Sequence, residues 1–367
     1  MPVFRHGCVS RSRFRIQSFA SLNRRGQLAR LRRLGLAALD TFGLEEARLR
    51  PLRHEHNTTF KVDADGGPYV LRINRPDVHS AATIASEMTW LAALKRDTNL
   101  GVPDPVATPD GSLTVVAVAP GIPEPRHCVL LRWLEGRFVD ENLAPVHLRR
   151  VGALEAALQL HTEGWAPPPG FARPRLDALT TPGRRESVVG SAQSNSESEH
   201  PSQPDAERCL QLVTDLMSRE AASVIAQALE VVWGTTNELR AQAGTFGLIH
   251  GDLHYENFLF HGGTARAIDF DDCGWGFHLY DLAVTLWELE DRPHFEALRT
   301  ALLEEYSRFR PLPERYGNHL QTLIILRRVQ ILMWVLESRE HAAFRDDWRG
   351  WAIEDLARLS GAIGNIR

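Results

Sequence analysis

The sequence predicts an α+β protein in two lobes, a small antiparallel sheet followed by a large, mainly helical region. Three observations carry that expectation. Between Leu49 and Ile73 apolar residues alternate with polar ones, the period of half-buried strands. Beyond Gly276 apolar residues recur three and four apart, the period of helices. Between them, from Leu248 to Gly276, runs LIHGDLHYENFLFHGGTARAIDFDDCGWG, where carboxylates, a His and an Asn stand at the ends of short apolar segments. At 367 residues the chain is long enough for two lobes with an ample core.

Hydrophobic residues make up 43% of the chain and charged residues 24%, the balance of a soluble globular protein. The four cysteines (Cys8, Cys128, Cys209, Cys273) are scattered, which argues against a disulfide framework or a structural zinc site. No apolar run approaches the roughly 20 residues of a membrane span. The expected address is the cytoplasm, with no membrane partner. Charge is uneven: residues 1–39 hold nine Arg and no acidic residue, which leaves the rest near −13 of a formal −4. Such a start has the composition of an organelle transit peptide, of a disordered tail, or of an early start site. The acidic body argues against nucleic acid as a partner.

Residues 1–25 are expected to form a disordered basic tail, 26–134 a nucleotide-binding lobe of sheet plus helix, and 135–367 a helical lobe. Leu28, Leu31, Leu34 and Leu39 recur at helical spacing, and Gly43 is a natural stop. Leu49 with Leu52, Phe60 with Val62, and Tyr69, Leu71 and Ile73 then give an antiparallel meander. Asn57-Thr58-Thr59 falls in its first turn and Asp65-Gly66-Gly67 in its second. The helix after Ser80 carries Ile84, Met88, Leu91 and Leu94 inward, and Glu87 shares that stripe. A carboxylate on an apolar face calls for a partner, and Arg72 in YVLRIN is the expected one. Leu113–Val118 and Cys128–Leu134 read as two more strands.

A helix starts at Pro145, a residue favoured in the first turn. Residues 183–204 (GRRESVVGSAQSNSESEHPSQP) have the composition of a disordered insert. Helices follow over 205–220 and 221–242, and later over 281–289, 295–309, 319–336 and 351–363. Phe246–Ile249, Phe258–Phe260 and Ala265–Phe270 read as buried strands, with His261-Gly262-Gly263 turning the last two into a hairpin.

Within the 246–276 segment the spacing points to phosphoryl transfer. That reaction needs a carboxylate beside the attacking hydroxyl, and an Asn and a second Asp on the metal that neutralises the phosphates. Asp252, Asn257 five positions on, and Asp269 after the hairpin stand in that order. H-G-D-L-H-x-x-N and I-D-F-x-D resemble the motifs of the aminoglycoside phosphotransferase and choline kinase superfamily, small-molecule relatives of protein kinases.

The resemblance, over roughly residues 45–340, implies a protein-kinase-like fold that uses ATP, or GTP, with Mg²⁺. It makes Asp252 the catalytic base, Asn257 and Asp269 metal ligands, Asp271 a second-metal ligand, and Asp281 the anchor of the catalytic loop. It places Asn57, Thr58 and Thr59 over the phosphates, and adenine against Arg132, Trp133 and Leu134. Arg72 stands where this superfamily carries a phosphate-binding lysine, and its geometry differs from that of Lys. His250 is expected to pack beneath the loop as structural support.

The acceptor is expected to be a small-molecule hydroxyl of aminoglycoside, choline or homoserine type. Aromatic walls at Trp287, Tyr306, Trp334, Trp348 and Trp351, with acid from Asp271, Asp272, Glu288 and Glu290, suit a cationic amine. A protein acceptor, as in bacterial stress-response Ser/Thr kinases, is the alternative. Two readings come from other classes. His250, Asp252 and His254 at alternate positions suit a metal-dependent hydrolase, and Arg72 suits a non-catalytic nucleotide-binding module.

Overall fold

The computed structural model describes residues 18–55, 57–76, 78–140, 142–177, 187–189, 203–340 and 344–366. The chain divides into two compact units, one of Met1–Pro76 with Val106–Leu130, the other of Asp77–Pro105 with Leu131–Arg367.

The first unit is a sheet under one helix. Helix α1 (Arg24–Thr41) starts where the Asn23 side chain accepts the Gly26 N–H at 2.9 Å, an N-cap that satisfies one orphan donor. Strands β1 (Arg48–His54), β2 (Thr58–Ala64), β3 (Gly67–Ile73), β4 (Val115–Ala117) and β5 (Arg126–Arg132) pair in the order β1-β2-β3-β5-β4. The β1–β2, β2–β3 and β4–β5 pairs are antiparallel. Alternation delivers Leu49, Phe60, Val62, Tyr69, Leu71 and Ile73 to one core, where they meet Leu31, Leu34, Ala38 and Leu39 of α1. A side chain at Gly35 would meet Leu71 Cδ2 at 2.9 Å and Leu49 Cδ1 at 3.1 Å, so the helix rests directly on the strands. Leu34 is fully buried in this seam, and Leu34→Ala is expected to cost about 2–5 kcal/mol.

The second unit opens with α2 (Ala81–Asp97), which packs on α3 (Pro145–Gly164), on β6 (Ala172–Pro174) and on a short 3₁₀ turn at Phe270–Asp272. There the structure departs from the expected 26–134 lobe, because α2 groups with the helical unit. Polar clamps account for this. Ser86 Oγ receives the Ala172 N–H at 2.8 Å, and buried Arg173 donates to Thr83 O at 3.0 Å.

After β6 come β7 (Ser187–Val189), α4 (Gln203–Leu216), α5 (Arg219–Arg240) and strands β8 (Phe246–Ile249), β9 (Phe258–His261), β10 (Thr264–Ala267) and β11 (Gly274–Phe277). Helices α6 (His278–Trp287), α7 (Phe295–Phe309), α8 (Tyr316–Glu337) and α9 (Trp348–Ile366) complete the unit. The main helix pairs are α3 on α7, α6 on α8, and α8 on α9 and α5. Helix α8 is long and apolar enough to cross a membrane, yet 83% of its most apolar window is buried, which makes it the core helix here.

Two stretches whose composition suggested disorder contain described elements. Of the tail, residues 1–17 lie outside the described residues, but Phe19–Ser21 form a 3₁₀ turn and α1 begins at Arg24. Of the 183–204 insert, Ser187–Val189 form β7 paired with β6, and α4 begins at Gln203. Two adjacent Val supply local β preference inside a polar run. The rest of the insert lies outside the described residues.

Candidate active site

Two antiparallel pairs frame the site. β9 and β10 close on Gly262-Gly263, with His261 opposite Thr264 and φ of 55° and 83° at the glycines. Both central residues of such a two-residue turn need positive φ, which glycine adopts without strain. β8 pairs with β11, Ile249 opposite Gly274. That register sets the loop starting at His250 beside the turn ending at Cys273. Ile268 N–H donates to Asn257 O at 2.9 Å and fastens the loop's far end to the strand leading into Asp269. The sequence showed β8, β9 and β10, but not β11, whose GWGF has the glycine content of a loop.

The loop is held from below. Asp281, fully buried on α6, accepts the His250 N–H at 3.0 Å and the Gly251 N–H at 2.7 Å. His250 is also fully buried, against Phe270 at 4.4 Å between ring centroids. Its Nε2 lies 3.0 Å from Ile268 O, and its Nδ1 accepts the Asp252 N–H at 3.3 Å. Those partners fix the Nε2–H tautomer. Burial holds its pKa below the usual imidazole range, against the pull of Asp281 and Asp252, and keeps the ring neutral. His250 thus packs against Phe270, and Asp281 accepts two amide hydrogens of the loop. Gly251 has φ 78°, and a Cβ there would press on Leu176 Cδ1 at 2.5 Å and Asp272 O at 3.0 Å.

Asp252 is gripped at both oxygens. Oδ1 forms an ion pair with Arg327 Nη2 of α8. Oδ2 accepts from Asn257 Nδ2 at 3.0 Å, and the same nitrogen reaches Asp252 O at 2.8 Å. His254 Nε2 stands 3.7 Å from Oδ2, while its Nδ1 lies 3.2 Å from Glu288 Oε2. Burial pushes the Asp252 pKa up, but Arg327, then His254 and His250, outweigh it and hold the carboxyl below its usual range. Burial likewise depresses His254, but Asp252 and Glu288 outweigh it and raise its pKa.

Sequence reasoning missed Arg327, 75 residues from Asp252. Its signal was LIILRRVQILMW, two guanidiniums inside an apolar helix, which require buried partners. The second, Arg328, takes Asp355 at 2.7 Å and Glu290 at 2.5 Å. So Glu290 and Glu288, read from sequence as acid for an amine, are taken up by Arg328 and His254. Arg173 was missed too. Its guanidinium binds Cys273 O at 2.6 Å, Asp271 O at 2.6 Å and Thr83 O, clamping the 270–273 turn to α2.

Asp269 follows β10 in the left-handed region (φ 64°, ψ 64°) and is exposed. Asp271 is half-buried, with His79 Nε2 4.0 Å from its Oδ2. With its Nδ2 engaged by Asp252, Asn257 keeps Oδ1, an oxygen, as its remaining polar atom. An amide oxygen and a carboxylate suit a hard cation such as Mg²⁺, which takes few protein ligands and fills its shell with phosphate and water. Among the described residues no three His, Cys, Asp or Glu are grouped to hold a metal, so the all-protein cluster of a metal-dependent hydrolase is not formed there.

The remaining expected site residues occupy the following positions. Thr58 and Thr59 lie in β2, opposite His54 and Arg53, and not in the turn, because strand pairing extends to the end of β1. Thr58 Oγ1 lies 2.8 Å from His54 Nδ1, and Asn57 Oδ1 accepts the Arg75 N–H at 3.1 Å. Arg72 is buried on β3 and Glu87 on α2. Arg132 ends β5 and donates its N–H to Asp104 O at 2.9 Å; Trp133 and Leu134 follow, half-buried. A cavity of about 430 Å³ lies elsewhere, lined by Leu160, Tyr306, Arg310 and Pro313 among others, and contains none of these residues.

A fold of this class with this loop defines a phosphotransferase, and the chain belongs to the phosphotransferase enzyme family, whose model matches residues 48–317. It is a kinase acting on a hydroxyl group. The structure of a microcompartment-associated aminopropanol kinase is 25% identical, with a TM-score of 0.67 over 90% of this chain and 95% of that one. The amicoumacin kinase of Bacillus subtilis is 24% identical over 264 residues, 68% of this chain and 65% of that protein. The amicoumacin kinase hAmiN, solved with AMP-PNP, Ca²⁺ and Ami, shares the fold at 17% identity, with a TM-score of 0.66 over 93% and 94% of the two chains.

Proposed function

We propose that this enzyme moves the γ-phosphoryl group of ATP, with Mg²⁺, to the hydroxyl of a small amine-bearing alcohol. The observation that carries the reading is the state of Asp252: ionised, fixed at Oδ1 by Arg327 and at Oδ2 by Asn257. A carboxylate with a depressed pKa is a weak base, which suits a loose transition state in which the hydroxyl proton leaves late. Asp252 orients the attacking hydroxyl and accepts its proton as the new P–O bond forms. Asn257 Oδ1 and Asp269 hold Mg²⁺, with Asp271 as a further ligand. The metal supplies neutralisation of phosphate charge.

On the nucleotide side, Asn57, Thr58 and Thr59 lie over the phosphates, with the Thr58 hydroxyl engaged by His54. Arg72 serves the phosphates and Glu87 supports that role. Adenine lies along Arg132, Trp133 and Leu134. The amine in the acceptor is supported by the likeness to aminopropanol and amicoumacin kinases and by the acidic turn at Asp271 and Asp272.

Thermal unfolding with ATP or GTP, with and without Mg²⁺, tests the first half. A ligand of the folded state raises Tm with occupancy, so a Mg²⁺-dependent rise with ATP is expected. Transfer to a panel of amino alcohols, homoserine and Ser/Thr peptides tests the second. No shift with either nucleotide would overturn the reading. Phosphorylation of peptides alone would overturn the acceptor class.

A further inference from the structure

A second carboxyl group lies beneath the catalytic loop, and proton counting fixes its state. Glu155 of α3 is fully buried, with Oε1 2.6 Å from Thr285 Oγ1 of α6. The same hydroxyl lies 2.6 Å from Leu253 O, the carbonyl immediately after Asp252. Thr285 has one proton, and both neighbours are oxygens. Were Glu155 ionised, one of these contacts would set two acceptors against each other with no hydrogen between them. If Glu155 carries a proton, both bonds form: Glu155 O–H donates to Thr285 Oγ1, and Thr285 O–H donates to Leu253 O.

The surroundings agree. Glu155 Oε2 has no hydrogen-bond partner among the described residues. The titratable groups facing Glu155 are Asp281 from α6 and Tyr306 from α7, and neither brings a cation. Burial, then the nearby Asp281, pushes the Glu155 pKa well above the usual carboxylate range, against the Thr285 bond. A bare buried carboxylate there would lack compensation.

We infer that Glu155 is a permanently protonated positioning residue that, through Thr285, pins the Leu253 carbonyl and so sets the direction of Asp252. Two buried carboxyl groups then hold the loop in opposite roles, one as acceptor and one as donor. Asp281 accepts its amide hydrogens, and neutral Glu155 donates to Thr285, whose own hydrogen then serves the loop carbonyl.

The protonation claim stands apart from the reaction; the positioning claim rests on the role proposed for Asp252. Infrared spectra of the full chain at neutral pH are expected to show a protonated carboxyl C=O band that disappears in Glu155→Gln. Its absence from the wild type would overturn the inference whatever the enzyme's substrate. Glu155→Gln keeps a donor and is expected to retain kcat within about twofold, whereas Glu155→Leu and Thr285→Val lower kcat ten- to a hundredfold at unchanged KM for nucleotide. Should Glu155→Gln not fold, loss of the band in Glu155→Leu assigns it to Glu155, since buried Asp281 and Asp355 also carry carboxyl groups. Thr285→Val with full kcat would overturn the positioning role. A wild-type band in a protein inert toward every acceptor would instead count against the proposed function.

Discussion

The sheet unit and the helical unit handle polar groups in opposite ways. In the sheet unit the pairs are short-range in the fold: Arg50 meets Asp63 across adjacent strands with side chains 64% and 43% exposed, and Arg126, itself buried, meets the half-exposed Glu124 two residues away. In the helical unit the pairs that matter are buried and distant in sequence. Arg327 reaches Asp252 across 75 residues and Thr285 reaches Glu155 across 130. Exposed pairs contribute little because water screens them, while a buried charge that loses its partner is costly. The sheet's stability therefore rests on its apolar seam, and the site's rigidity rests on long-range polar contacts.

Mutations at the two places sharpen that contrast. The largest expected effect is Asp252→Ala, which lowers kcat about 10²–10⁴-fold while ATP still raises Tm; unchanged turnover would remove Asp252 from its proposed role. Next, Arg327→Met leaves Asp252 without its cation. It is expected to cost about 3 kcal/mol, at the low end because Asp252 is 21% exposed. With the depression of the Asp252 pKa relieved, the acid limb of kcat/KM moves to higher pH, which a pH–rate profile reads directly.

Gly251→Ala follows, at about 1–2 kcal/mol for the left-handed backbone plus contact with Asp272 O, measured by urea unfolding. His254 gives a smaller, pH-dependent term. Its folded pKa is raised, so the stability it lends is full below the unfolded value of 6.5 and is lost as pH rises through the folded one. His254→Gln should flatten that decline. Asp63→Asn in the sheet is the smallest, no more than about 1 kcal/mol; a larger loss would break the contrast.

Legibility followed the same division. The period-two strands, α1, the Gly262-Gly263 turn and the order Asp252, Asn257, Asp269 were readable because each signal is local. The Arg327 partner, the Arg173 clamp and the Glu155–Thr285–Leu253 chain were not, since each joins residues brought near only by helix packing. Even so, a charge on an apolar stripe announces that a partner exists. Glu87 was read that way, and Arg327 and Arg328 carried the same signal. The grouping of α2 with the helical unit was hidden for a related reason: its ties are Ser86 and Thr83, ordinary polar residues whose partners in β6 lie far along the chain.

The sheet's strand order has a consequence for the growing polypeptide. β5 lies between β3 and β4, yet it leaves the ribosome last of the five strands, after α2 and the stretch to Pro105 that belong to the other unit. Until Arg126–Arg132 arrive, the nascent meander presents the open edge of β3 with unpaired backbone groups, a template for wrong pairing between neighbouring chains. Truncations that end between Asp97 and Arg126 should therefore be recovered as aggregates, and those that run past Arg132 should not expose that edge.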